Sequence, residues 1–269
     1  MDLKNKIVLV TGGASGIGKA AARAFLAAGA RVVLWDLDRR TLDAASTELG
    51  ALGKVAGFAV DVSDRAKVFE AAGRVLKEVG PVDVLDCNAG IVQGGDFLSV
   101  GEDAVRRTFD VNVLGPMWCV GAFLPGMVER GSGRIVLMAS AAGLLGVPGM
   151  AAYSASKHAV IGFGESLRLE LRAAGHRGVG VTIVAPSFVK TGMFDGVKPP
   201  LLTPWLDPES LAAKVVAAVQ GDRLWVREPF MVKLVPALKG LTCPAVTDWV
   251  GDLLGMHRAM ENWTGRKAK

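Results

Sequence analysis

The sequence predicts an α/β fold: one doubly wound parallel sheet of about seven strands with a helical extension at its carboxyl end. Three observations lead there. The chain opens with an apolar run, a glycine turn, a helix-forming stretch and a second apolar run within about thirty residues, the spacing of a β-α-β unit. Short runs rich in Val, Ile and Leu then alternate with helix-forming segments. Finally, 269 residues that are 51% hydrophobic and include 34 glycines suffice for one well-buried core with tight turns, and no repeat or low-complexity linker divides them.

In chain order, Ile7 to Thr11 is the first strand, Gly12 to Gly18 the glycine turn, Lys19 to Ala28 a helix and Arg31 to Asp36 the second strand. Further strands are predicted at Val55 to Val60, Val82 to Asn88, Arg134 to Ala139, Val179 to Ala185 and Leu224 to Arg227. Beyond them, apolar residues recur at helical spacing, but Lys233, Pro236, Lys239, Pro244, Asp248 and Asp252 break any run long enough to span a bilayer. Two short amphipathic helices are expected there, roofing a cleft, joining subunits or lying on a membrane surface; packing within an oligomer is the first choice. Residues 1–228 are thus the sheet unit and 229–269 an extension of the same domain.

The glycine turn carries the first chemical signal. Gly12, Gly16 and Gly18 allow positive φ and close approach of backbone amides, while the helix that follows presents its positive end to a pyrophosphate. A triphosphate-binding loop is disfavoured, because Gly13 to Lys19 falls one residue short of the full pattern: Ala20 stands where Ser or Thr would hold magnesium. Asp36 ends the second strand, where a carboxylate accepts hydrogen bonds from an adenosine ribose and repels a 2′-phosphate. With Leu37 next, and no basic residue at Ala14 or Ser15, NAD is favoured over NADP, although Arg39 and Arg40 are near.

Ser140, Tyr153 and Lys157 carry the second signal. Tyr153 is the only tyrosine, and on a helix Lys157 lies four residues on, along the same face. An ammonium about 4 Å from a phenol at an effective dielectric of about 20 is worth about 4 kcal/mol, or roughly three pKa units, so a phenol poised for proton transfer is expected.

Together these motifs resemble the short-chain dehydrogenase/reductase family over nearly the whole chain. TGGASGIG at Thr11 to Gly18, Asp61-Val62, Asn88-Ala89-Gly90, Asn112, Ser140, Tyr153 with Lys157, and Pro186 through Thr191 stand in the family's order. The resemblance implies a single-domain, Rossmann-like, NAD-binding catalytic unit over residues 1–228. Gly12, Ser15, Gly16, Ile17, Gly18 and Asp36 would hold the dinucleotide, Asp61 and Val62 the adenine, and Asn88, Ala89 and Gly90 the floor beneath the adenosine. Pro186, Val189 and Thr191 would meet the nicotinamide end. Tyr153 would be the acid/base, Ser140 would bond the same substrate oxygen, Lys157 would bind the nicotinamide ribose, and Asn112 would fix a water linking Lys157 to solvent. Singly, each residue has a plainer role: Asn112 as a helix cap or kink, Ser140 as a turn former, Asp61 as an N-cap, Asp36 as a partner of Arg39. Independent structural needs would not set them all in one order. Cys87 and Ser187 depart from the family's usual Asn and Gly, the first expected to loosen the cofactor floor.

The stretch from Ser187 to Leu211 is too long for a simple turn and carries Phe188, Met193, Phe194, Leu201, Leu202, Trp205 and Leu206, as a lid over an apolar substrate would. Leu144, Leu145, Val147 and Met150 would form the opposite wall. TGMFDG and PLLTPWLDPE resemble the subgroup of retinol and 17β-hydroxysteroid dehydrogenases. An NAD-dependent enzyme interconverting a hydrophobic alcohol and its ketone or aldehyde is therefore expected, with steroid, retinoid and fatty alcohol left open. The alternative is a non-catalytic NAD-binding module for a partner or lipid, against which the intact Ser140, Tyr153 and Lys157 argue. The resemblance also implies a homodimer or homotetramer built on the helices holding Asn112 and Tyr153.

Three scattered cysteines and three histidines offer no disulfide framework or metal motif, so no metal is expected. The net charge of +5 is dispersed, without the basic, aromatic-interleaved stretch of a nucleic-acid binder. The basic tail from Arg258 to Lys269 leaves peripheral membrane contact open but not favoured. MDLKNKIVLV enters the first strand without a secretory signal, so a cytoplasmic location is expected.

Overall fold

Seven parallel strands form one sheet in the order β3-β2-β1-β4-β5-β6-β7. They are β1 Ile7–Thr11, β2 Arg31–Asp36, β3 Val55–Ala59, β4 Val84–Cys87, β5 Gly133–Met138, β6 Val179–Pro186 and β7 Trp225–Glu228. The computed structural model describes residues 1–265. Every predicted strand is present, β1 and β2 with the predicted bounds and the others with ends displaced by at most two residues. β4 stops at Cys87 because the next amide, on Asn88, turns aside to the Thr11 hydroxyl at 3.0 Å.

The sheet is apolar on both faces, as a parallel sheet between helical layers requires. Ile7 and Leu9 of β1 face one layer, Val8 and Val10 the other. Helices α1 (Gly16–Ala27), α2 (Arg39–Gly50) and α7 (Pro208–Gln220) cover the second face. The first face is covered by α3 (Arg65–Glu78), α5 (Gly115–Glu129) and α6 (Ala151–Ala173). Trp35, fully buried, fixes that layer by packing on Phe123 with ring centroids 5.7 Å apart. Helix α1 begins three residues earlier than expected, since the glycine turn supplies its first turn behind an extended Ser15.

Aspartates start three helices: Asp38 caps α2, Asp64 caps α3 and Asp207 caps α7, each accepting from amides of the first turn. Asp61 is therefore not the cap of α3. A short α4 (Glu102–Phe109) runs through a π turn at Asp110–Leu114 into α5. The continuous helix from Glu102 to Glu129 contains an 18-residue stretch with a mean hydropathy of 1.5, long and apolar enough to cross a membrane, and half of that stretch is buried.

The two short helices expected after β7 are α8 (Phe230–Leu241) and α9 (Pro244–Leu253), followed by a 3-10 turn at Met256–Arg258. The chain then straps down the Phe188–Val197 loop: Trp263 Nε1 donates to Met193 O at 3.2 Å and Thr264 N to Asp195 O at 2.9 Å. Of the expected extension and basic tail, residues 266–269 lie outside the described residues.

Candidate active site

At the carboxyl ends of β1 and β4 the strand order reverses, opening the crevice where α/β sheets bind ligands. Gly12 takes φ 64° and Gly16 φ 53°, whereas Gly18 does not need a positive φ. Gly18 is fixed instead by proximity: a Cβ there would stand 2.3 Å from Gly12 O. The turn thus forms a bare backbone cradle at the start of α1, the form a pyrophosphate requires. Asp36 closes one side, its Oδ2 accepting from Ala14 N at 3.0 Å. Arg39 pairs with Asp43 rather than with Asp36.

A cavity of about 270 Å³ runs from this turn to Tyr153. It is lined by Gly12, Ser15, Gly16, Ile17, Asp36, Asp61, Val62, Asn88, Ala89, Gly90, Ser140, Tyr153, Lys157, Pro186, Val189 and Thr191. Two expected residues serve from behind the lining: Gly18 beneath the turn, and Asn112. Asp61 Oδ1 accepts from Ser63 N at 3.0 Å and Oγ at 2.6 Å. Burial raises its pKa, but those bonds and nearby Arg107 outweigh burial and hold the carboxyl below its ordinary range. Asn88 braces the cleft, its Nδ2 donating to Thr11 O at 3.0 Å. The Thr11 hydroxyl accepts from the amides of both Asn88 and Ala89, a bracing role the sequence reading missed although Thr11 opens its motif. Cys87 lies outside the cleft lining, its thiol buried toward Pro116.

Asn112 is buried in the π turn, with Oδ1 accepting from Ile91 N at 2.8 Å and Nδ2 donating to Ile91 O at 2.9 Å and Ser156 Oγ at 3.1 Å. Pro116, four residues on, lacks an N–H to continue the helical ladder, which accounts for the π turn. The plain reading of Asn112 as a kink residue therefore has substance, beside its tie to the Ile91 backbone.

Ser140 ends the β5 segment, its Oγ accepting from Ala142 N at 3.2 Å and donating to Pro186 O at 3.5 Å. Tyr153 and Lys157 are buried one turn apart on α6. The expected acidic phenol is not what this arrangement produces. Lys157 Nζ donates to Met138 O at 2.7 Å, with the centroid of the Tyr153 ring 5.7 Å away, so the ammonium is turned to a main-chain carbonyl of the sheet. Burial pushes Tyr153 up to about 12, with the Ser140 hydroxyl acting weakly the other way. Burial lowers Lys157 to about 8.

Beyond Ser140 lies a second cavity of about 250 Å³ that shares Ser140, Ser187 and Phe194 with the first. Leu145, Val147, Met150 and Phe188 line it as expected; its roof is α8, α9 and the 3-10 turn. The extension roofs this chamber, one of the three uses read from sequence, although packing within an oligomer was the first choice. Phe194 packs edge-on against both Tyr153 and Phe188, with centroids 6.3 Å and 5.2 Å away, and so forms part of the partition between the cavities. Among the described residues no cluster of three metal-ligating side chains occurs.

The family model for short chain dehydrogenases matches residues 6–201. The chain belongs to the short-chain dehydrogenase family. Epidermal retinol dehydrogenase 2 of Mus musculus is 39% identical over 100% of this chain and 88% of its own length. Estradiol 17-beta-dehydrogenase 11 of Homo sapiens is 36% identical over 88% of this chain and 79% of its own length. A short-chain dehydrogenase/reductase from Burkholderia phymatum, solved in complex with NAD, superposes with a TM-score of 0.80 at 30% identity, over 87% of this chain and 93% of that one. The chain is thus an oxidoreductase of this family, in the subgroup of retinol and 17β-hydroxysteroid dehydrogenases, whose cofactor is NAD or NADP.

Proposed function

We propose that this short-chain dehydrogenase uses NAD to interconvert a hydrophobic alcohol and its ketone or aldehyde, with Tyr153 as the acid/base. One observation carries the reading: Ser140 borders both the dinucleotide cleft and an apolar chamber, with Tyr153 and Lys157 on the cleft side. NAD, when bound, supplies the hydride acceptor. Tyr153 Oη takes the alcohol proton in oxidation and returns it in reduction, while Ser140 Oγ holds the same oxygen. Lys157, steadied by Met138 O, binds the nicotinamide ribose and adds positive charge beside the phenol. Asn112 holds the relay water through the π turn. The NAD preference rests on Asp36, whose carboxylate faces the cleft with Leu37 beside it. Assembly as a homodimer or homotetramer through α4, α5 and α6 is supported by the half-buried apolar side chains along α5, Met117 and Trp118 among them.

Purified protein given NAD and a panel of apolar alcohols is expected to form NADH. Tyr153→Phe is expected to keep cofactor binding and lose at least about a hundredfold in turnover. Equal rates would reject the acid/base assignment. In the same assay Asp36→Ala should narrow the preference for NAD over NADP, and unchanged selectivity would remove the role given to that carboxylate.

A further inference from the structure

The roof of the apolar chamber carries a polar device that the proposed hydride transfer leaves unused. His257 and Asp252 are joined at 2.6 Å between Nδ1 and Oδ1. With Nδ1–H donated to the carboxylate, a neutral imidazole offers Nε2 as an acceptor. That nitrogen has no hydrogen-bond partner among the described residues. It lies over Gly251, where an added Cβ would stand 2.9 Å away, so the glycine makes room for the ring. Gly251 and His257 both line the chamber.

The other polar groups of this wall sharpen the chemistry. Thr203 and Thr247 already spend their hydroxyl protons on Pro200 O and Pro244 O, and Lys239 donates to Leu144 O. Asp248, one turn before Asp252 on α9, is a second group that can only accept. Most of the remaining wall is aliphatic or aromatic. A plain hydrocarbon filling the chamber would press against Nε2 and satisfy nothing, and an unpaired acceptor discriminates strongly between ligands.

We infer that the substrate is a bifunctional apolar molecule: a long hydrocarbon body with the reacting hydroxyl at Ser140 and a second hydrogen-bond donor, such as another hydroxyl, received by His257 Nε2. The inference rests on the reading that the chamber holds the substrate's apolar body. Asp252 is a positioning residue that fixes the ring's tautomer and orientation.

The test is a ladder of terminal diols from octanediol to hexadecanediol, each paired with its monoalcohol, assayed with NAD. At one chain length the diol should show a KM about tenfold below that of its monoalcohol, beyond the factor of two due to its equivalent ends. His257→Phe should bring the two together. Asp252 is an exposed side chain, so Asp252→Ala tests the dyad without disturbing the core: it should shrink the gap, and Asp252→Asn, whose carbonyl still accepts from Nδ1, should restore it. No gap at any length in the natural protein, or one that survives His257→Phe, would overturn the inference. The same pairs titrated calorimetrically onto NAD-loaded protein separate the two proposals. Absence of turnover counts against the oxidoreductase reading, while the affinity difference within each pair decides on His257.

Discussion

Because Tyr153 is the only phenol in the chain, its ionisation can be followed by tyrosinate absorbance without interference from another. With burial pushing it to about 12, the cofactor-free protein should show no tyrosinate at pH 10, where an exposed tyrosine is half ionised. Half-ionisation at pH 10 would mean that the phenol is solvated. Spacing along α6 correctly joined Tyr153 to Lys157, but the direction of the ammonium depends on Met138 O, which only the sheet brings near. Asp86 was equally hidden, since the predicted strand Val82 to Asn88 carries both Asp83 and Asp86 and its pattern does not tell which is enclosed. It lies fully buried between Val10 and Val136, with no hydrogen bond to either carboxylate oxygen, and burial raises its pKa from 3.8 to about 7. Between those values the folded chain holds a proton that the unfolded chain has lost. Stability should therefore fall as pH rises from about 4 to about 7, by about 4 kcal/mol, and level off above. Urea midpoints at pH 5 and pH 8 check this, and Asp86→Val should abolish the difference; a midpoint that rises with pH in the natural protein through this residue would contradict it.

Among the elements, the glycine turn and α1 set the tightest constraint. Gly18→Ala forces a methyl into Gly12 O at 2.3 Å, so the turn must shift. A cost of about 1–3 kcal/mol and loss of dinucleotide affinity are expected, read by thermal unfolding with and without NAD. A variant that binds and melts like the natural protein would show that the turn yields freely. Such a turn is legible from sequence because backbone crowding leaves glycine as the only solution. The central strands are legible for a related reason: covered on both sides, they become unbroken apolar runs. α8 and α9 were legible as amphipathic helices, yet not in what they face. Val232 turns inward to the chamber while Phe230 and Trp249 stay exposed, a choice made by distant docking rather than by local pattern.

Across the whole molecule, the dinucleotide cleft is assembled from strand ends spread from β1 to β6, whereas the apolar chamber is completed only by the extension after β7. The first could be read from motifs in order. The second depends on contacts between segments far apart in the chain, such as Trp263 against Gly94, which no spacing rule foretells. Lys198 N bonds to Ala259 O, Leu201 N to Leu254 O and Thr264 N to Asp195 O, so the loop over Tyr153 and the final segment share one set of main-chain bonds. Breaking those bonds at one end frees both partners. Amide hydrogens on the two stretches should therefore exchange with deuterium at a common rate, slowed together by an occupant of the chamber, and independent rates would show two separate flaps. Entry of a substrate and loosening of the carboxyl-terminal segment then become a single cooperative event.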